Sequence, residues 1–203
     1  MSTNNQPIFQ EYVTPEEVNA LPLTYYEGEI VLVDEADKVH AAVAEINKFP
    51  VIGFDTETKP TFVKGQFYHI SLIQLAIPDK VFLFRINHTG FTQGLIDLFS
   101  NKNILKVGVG LRDDIIGLQK IHDFNPAGFA EIHKYVVELG VRNTGLRKLA
   151  AILMKVRISK GQQTSNWENT ILTKNQQSYA ATDAWICLEM YNLLENRGFI
   201  YED

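Results

Sequence analysis

Val51-Ile52-Gly53-Phe54 runs straight into Asp55-Thr56-Glu57, and the fold turns on that junction. Residues 51–54 form an apolar run of strand length, which belongs at the centre of a sheet covered on both faces. Residues two apart on a strand point to the same face. Asp55 and Glu57 therefore project side by side from the strand's end. Two unit charges ~4 Å apart repel by about 4 kcal/mol at an effective dielectric near 20. Such a pair persists only with a compensating cation or a shared proton. Asp-x-Glu is also common in surface turns, so the pair alone points no further.

Outward from this junction the chain alternates between two periodicities. Strands are predicted at 29–33, 51–54, 68–76, 81–85 and 104–109, with a candidate short edge strand at 129–132. Pro78-Asp79 separates the third and fourth strands as a hairpin-like turn. Helices are predicted at 35–48, 90–101, 111–121, 133–139, 146–153 and 175–196. This is an α/β chain, expected to form a mixed five-stranded sheet with helices on both faces. Residues 1–27, with Pro7, Pro15 and Pro22 among polar residues, read as an extended N-terminal arm with one short turn. Ile8, Phe9, Tyr12, Leu21, Tyr25 and Tyr26 in it need cover. Residues 28–203 read as one domain.

The bulk numbers agree with a globular chain. Its 203 residues are 45% apolar and 21% charged, enough for a core that needs no disulfide or structural metal. Cys187 is the single cysteine, so it forms neither an internal disulfide nor a zinc site by itself. The net charge of −5 argues against a general nucleic-acid-coating protein. It does not exclude an enzyme that grips phosphates through metal ions held by a local cluster of carboxylates. The N-terminus lacks a signal-peptide pattern, and no apolar run approaches the ~20 residues that span a bilayer. A cytoplasmic location and no membrane partner are expected.

Two further acids occupy faces expected to be covered. In the helix predicted after residue 110, Leu111, Ile115 and Leu118 form the inward stripe, and Asp114 falls beside Leu111 on it. Asp113 points outward and suits a helix N-terminus. On the last helix, Tyr179, Ile186, Cys187, Met190 and Leu194 form the buried stripe, and Asp183 sits among them. A charge there is costly unless paired or metal-bound. Nothing comparable supplies positive charge at these places. Divalent cations would relieve all the repulsions together, and oxygen-only ligands suit Mg²⁺ or Mn²⁺. The five histidines show no zinc-like spacing.

Two ions ~4 Å apart clamp an in-line displacement at phosphorus. Asp55 is placed to bridge both, with Glu57, Asp114 and Asp183 completing the shells. Tyr179 lies one turn before Asp183 on the same face. A phenol titrating near pH ~10 is a poor base, so Tyr179 is assigned to hold the attacking water. The competing reading of Tyr179 is a core aromatic with its hydroxyl at the rim.

Phe54-Asp55-Thr56-Glu57, then Val107-Gly108-Val109-Gly110-Leu111-Arg112-Asp113-Asp114, then Tyr179-Ala180-Ala181-Thr182-Asp183 resemble the three exonuclease motifs of the DEDD superfamily. The tyrosine in the third motif is similar to the ribonuclease D branch. The Val-Gly-Val-Gly segment and Ser165-Asn166-Trp167 resemble exonuclease domains of the Werner syndrome helicase type. The resemblance covers roughly residues 28–196. It implies a ribonuclease H-like fold, two divalent metals, and removal of nucleoside 5′-monophosphates from DNA or RNA 3′ ends. In the second motif the matching acid is Asp114. A glutamine of the family matches Gln74, to which a structural role is given. No helicase or accessory domain is expected beyond Asp203, which leaves processivity and substrate choice open; a helicase or other nucleic-acid-processing protein is an expected partner.

Basic residues gather between 133 and 161, where Lys134, Arg142, Arg147, Lys148, Lys155, Arg157 and Lys160 have few acids among them. Arg147, Lys148, Lys155, Arg157 and Lys160, with Thr56, are candidate nucleic-acid contacts. Solvated helix polarity explains Arg147 and Lys148 equally well. Trp167 reads as a core anchor. Gly108-x-Gly110 lacks the third glycine of a dinucleotide loop. The alternative function is a non-catalytic nucleic-acid-binding module that kept the fold. A ribonuclease H-type endonuclease is a third reading, but it has no need of Tyr179 four residues before Asp183.

Overall fold

The computed structural model describes residues 8–200; Pro7 and the ends of both expected segments lie outside it. Its centre is a six-stranded sheet in the order β1-β4-β3-β2-β5-β6. The strands are β1 (Glu29–Val33), β2 (Val51–Thr58), β3 (Ile70–Ile77), β4 (Lys80–Phe84), β5 (Leu105–Gly108) and β6 (Phe129–Glu131). β2, β3 and β4 are antiparallel neighbours, while β1 lies parallel to β4, and β5 and β6 continue parallel from β2. The five-stranded expectation is therefore one strand short. The sixth strand is β6, the candidate edge strand at 129–132, which is three residues long and joins the sheet because β5 offers it a parallel ladder.

The junction in β2 also differs from expectation. The strand does not end before the acids but carries both of them, Asp55 pairing Gln74 and Glu57 pairing Leu72. The irregularity comes one step later, between Glu57 and Thr58. β3 is buried along its whole length, so it holds β2 in register beyond the apolar run.

Alternation along these strands sorts the core. Ile52, Phe54, Ile73, Leu75, Phe82 and Phe84 face α2 (Ala36–Ile46), α4 (Gln93–Ser100) and α5 (Leu111–Gln119). Leu72, Ala76, Leu83 and Val107 face the long α8 (Lys174–Asn196) through Ala180, Ala181, Ala184 and Leu188. The sheet is covered on both faces, as the apolar runs require. The helix predicted at 90–101 is α4, preceded by a separate turn, α3 (Ile86–Thr89), with Gly90 at φ +74° between them.

A third cluster joins α6 (Ile132–Glu138), α7 (Leu146–Met154) and the inner stripe of α8. Phe9, Val13 and Val18 belong to it. The N-terminal segment is thus packed onto the domain, and its turn is α1 (Pro15–Ala20), closed by a capping box between Thr14 and Glu17. Of its apolar residues Phe9 and Tyr26 are buried, whereas Ile8, Tyr12 and Tyr25 stay exposed. Among the described residues no helix is long and apolar enough to cross a membrane.

Candidate active site

Alternation on β2 decides where the first two acids point. Ile52 and Phe54 face α2 and α4, so Gly53, Asp55 and Glu57 face α8. Gly53 lets the helix come close, because a Cβ there would strike the backbone carbonyl of Ala184. Ala184 adjoins Asp183, and the close contact sets Asp183 opposite Asp55 and Glu57. Asp183 is itself buried.

Thr56, between the two acids, points the other way. Its hydroxyl donates to Asp114 Oδ1, while its N–H donates to Asp55 Oδ1 at 2.9 Å. Thr56 therefore ties Asp114 at the start of α5 to the β2 acids, and this candidate nucleic-acid contact has its hydroxyl already engaged. Gly110, at φ +81°, turns the chain into α5, and Glu131 Oε2 accepts from Gly110 N at 2.8 Å and Leu111 N at 3.0 Å. Glu131 was not foreseen in the sequence, since only the β5–β6 pairing brings it to that helix end.

The electrostatics follow from this packing. Burial raises the Asp55 carboxyl far above its ordinary range, with Asp183, Asp114 and Glu57 adding repulsion in that order. Burial, then Asp183 and Asp114, lift Glu57 to about 9. Burial lifts Asp183 to about 7 against the opposing hydrogen bond from Tyr179 and the charge of Arg147. Asp114 rises to about 6, chiefly by burial and partly held down by Thr56. Burial and the neighbouring Asp183 and Glu57 raise the Tyr179 phenol too. It stays protonated, donates to Asp183, and stands against the buried indole of Trp167, ring centroids 6.0 Å apart.

Asp55, Thr56, Glu57, Tyr179 and Asp183 open into a cavity of about 610 Å³. Arg147, Lys148 and Lys160 line its wall with them. Lys155 and Arg157 do not. Lys155 ends α7 in the left-handed region at φ +58°, and the Arg157 guanidinium donates from Nε to Leu21 O at 2.9 Å. Cys187 reaches the same cavity from α8, and burial followed by the charges of Asp55 and Asp183 pushes its thiol well up. Gln74 is fully buried, and among the described residues neither polar atom of its side chain has a partner.

The donor chemistry fits a hard divalent cation. Carboxylate oxygens face one another, burial strips them of water, and their mutual repulsion asks for positive charge. Arg147 is the cation felt by Asp183. The set is a facing arrangement rather than a closed cage: among the described residues no three His, Cys, Asp or Glu converge tightly enough to hold an ion as they stand.

Residues 30–198 match the family described as 3′-5′ exonuclease. The chain is 35% identical over 191 residues to the mouse bifunctional 3′-5′ exonuclease/ATP-dependent helicase WRN, covering 88% of this chain and 13% of that protein. It is 27% identical over 213 residues to the exonuclease mut-7 homolog of Aedes aegypti, covering 93% of this chain and 29% of the relative. The Nibbler EXO domain of Aedes aegypti superposes with a TM-score of 0.76 at 28% identity, over 88% of this chain and 92% of that domain. Escherichia coli RNase D shares the fold with a TM-score of 0.73 at 20% identity, over 85% of this chain and 47% of that one. The chain belongs to the 3′-5′ exonuclease family, and its fold is the ribonuclease H-like fold of that family. It spans less than a third of the length of these two curated relatives.

Proposed function

We propose that this chain is a divalent-metal-dependent 3′→5′ exonuclease that releases nucleoside 5′-monophosphates from DNA or RNA. The observation that carries the reading is the facing of Asp55 and Glu57 on β2 with Asp183 on α8, all desolvated and mutually repelling, with Asp114 tied in through Thr56. Asp55, Glu57, Asp114 and Asp183 would hold two Mg²⁺ or Mn²⁺ ions. When bound, the ions supply an acidified water and neutralise charge at the scissile phosphate.

The protein's own groups do the positioning. Asp55 feels the charges of Asp183, Asp114 and Glu57 together, so it would be the carboxylate most closely shared by the bound ions. Tyr179 keeps its proton, so it orients the attacking water by hydrogen bond and does not act as a base. Trp167 behind its ring fixes that orientation. Arg147, Lys148 and Lys160 on the cavity wall attract the phosphates of the entering strand. Helicases and other nucleic-acid-processing proteins are the partner class that the likeness to WRN suggests.

The test uses 5′-labelled DNA and RNA oligonucleotides with Mg²⁺ or Mn²⁺, with EDTA, and with the Asp55→Ala variant. A ladder shortening from the 3′ end, only with metal and intact Asp55, is the expected result. Binding without shortening under any metal would sink this reading in favour of a non-catalytic binding module.

A further inference from the structure

Residues 15–25 precede the span that matches the 3′-5′ exonuclease family, which begins at residue 30, yet they stand at Tyr179 and Asp183. Pro15, Val18 and Asn19 line the main cavity. They are spaced i, i+3, i+4 and so share one face of α1. Leu23, Thr24 and Tyr25 line a second cavity of about 240 Å³, which has Ser159, Tyr179 and Asp183 in common with the first.

This wall is fixed at both ends. Val13 N donates to Asn143 Oδ1 at 2.6 Å, and Val13 and Val18 are buried against α7. At the other end Tyr26 N donates to Thr182 Oγ1 at 3.0 Å, one residue from Asp183. Between them Arg157 holds the chain three ways. Its Nε donates to Leu21 O, its N–H donates to Pro22 O, and its carbonyl accepts from Thr24 N, each at 2.9 Å.

We infer that residues 15–25 are a specificity wall of the substrate site, which admits a single 3′-terminal strand of DNA or RNA, with Asn19 contacting that strand and Arg157 as the positioning residue that sets the wall. The inference rests on the function proposed above. Three observations carry it. The cavity that Asn19 lines is also lined by Arg147, Lys148 and Lys160, whose positive charge suits a phosphate backbone. The Asn19 amide has donors and an acceptor to offer phosphate, sugar or base edges. Glu16 and Glu17, on the other face of α1, are exposed and repel a second phosphate backbone.

The experiment measures kinetics on 5′-labelled single-stranded DNA, single-stranded RNA and blunt duplex DNA with Mg²⁺ or Mn²⁺. It measures equilibrium binding of the same single strands, 5′-fluorescein-labelled, in EDTA. Circular dichroism melting establishes that each variant is folded. Asn19→Ala is expected to raise KM and Kd for single strands by about three- to ten-fold, the loss of one or two neutral hydrogen bonds, with the change falling on KM rather than kcat. Arg157→Ala removes the Nε bond to Leu21 O and keeps the two backbone bonds, so it is expected to raise Kd and KM less than Asn19→Ala while narrowing the preference for single strand over blunt duplex, with Arg157→Lys restoring part of it. Folded variants with unchanged Kd, KM and strand preference overturn the inference; if Arg157→Ala fails to fold, Asn19→Ala decides. A wild-type protein that binds strands without shortening them overturns the proposed activity, and the binding measurements then decide the wall separately. A wild-type protein that binds no strand overturns both.

Discussion

Asp183 carries its carboxyl at about 7 inside the fold, against an ordinary 3.8, because α8 buries it. The folded protein therefore keeps a proton that the unfolded chain releases above pH ~4. Folding stability is fully present below that pH and falls as pH rises through about 7, and Glu57 extends the loss toward about 9. In metal-free protein, Asp183→Asn is expected to raise the melting temperature at pH 8 by several degrees, following roughly 2–4 °C per kcal/mol at this chain size, and to abolish 3′ shortening. A melting temperature that falls at pH 8 while rising at pH 4 would contradict the buried charge. Tyr179→Phe keeps the ring against Trp167 and removes only the hydroxyl. Its kcat is expected to drop on the order of 10²-fold with KM little changed, read from single-strand kinetics.

The contact between β2 and α8 sets the distance across the site. Gly53 is its closest point, and a methyl group there meets the Ala184 carbonyl. Gly53→Ala is expected to cost about 1–3 kcal/mol by overpacking, measured from the urea midpoint. The same shift moves Asp183 away from Asp55, so the rate of 3′ shortening should fall further than stability alone explains. Wild-type stability in that variant would mean that the helix does not rest on β2 there. On the far side of the sheet Lys106 is fully buried in β5, and its ammonium donates to Leu98 O, Asn101 O and Ile104 O at 2.8–3.1 Å. Those carbonyls end α4 and lead into β5, so one side chain satisfies a helix terminus that the core has covered.

At the scale of the molecule, metal and fold are linked. A cation that binds the folded carboxylates and not the unfolded chain stabilises by mass action, ~2.7 kcal/mol at one hundred times its Kd. Mn²⁺ is expected to raise the melting temperature of wild-type protein at pH 7.5 and to release protons as it binds, because Glu57 and Asp183 start partly protonated. Calorimetry in two buffers of different ionisation enthalpy counts those protons. Asp55→Ala should lose most of both effects, and equal thermal shifts in the two proteins would argue that the ions bind elsewhere.

What the sequence determined by itself was periodic and local. A period of two set Asp55 and Glu57 on one face, and a period near 3.6 put Tyr179 and Asp183 on the buried stripe of one helix and favoured Asp114 over Asp113. The order of strands and helices, and Trp167 as a core anchor, were legible for the same reason. The tertiary structure alone decided how those faces meet. β3 carries β2 onward through both acids, Gly53 brings α8 against it, and β6 forms on the edge of β5. Thr56 closes on Asp114 across 58 residues. Arg157, which a count of charges places with the phosphate contacts, instead holds Leu21 across 136 residues. Such partners are chosen when distant backbone and side-chain groups lose water together and must satisfy one another, and nothing in a local pattern records which pairs those will be.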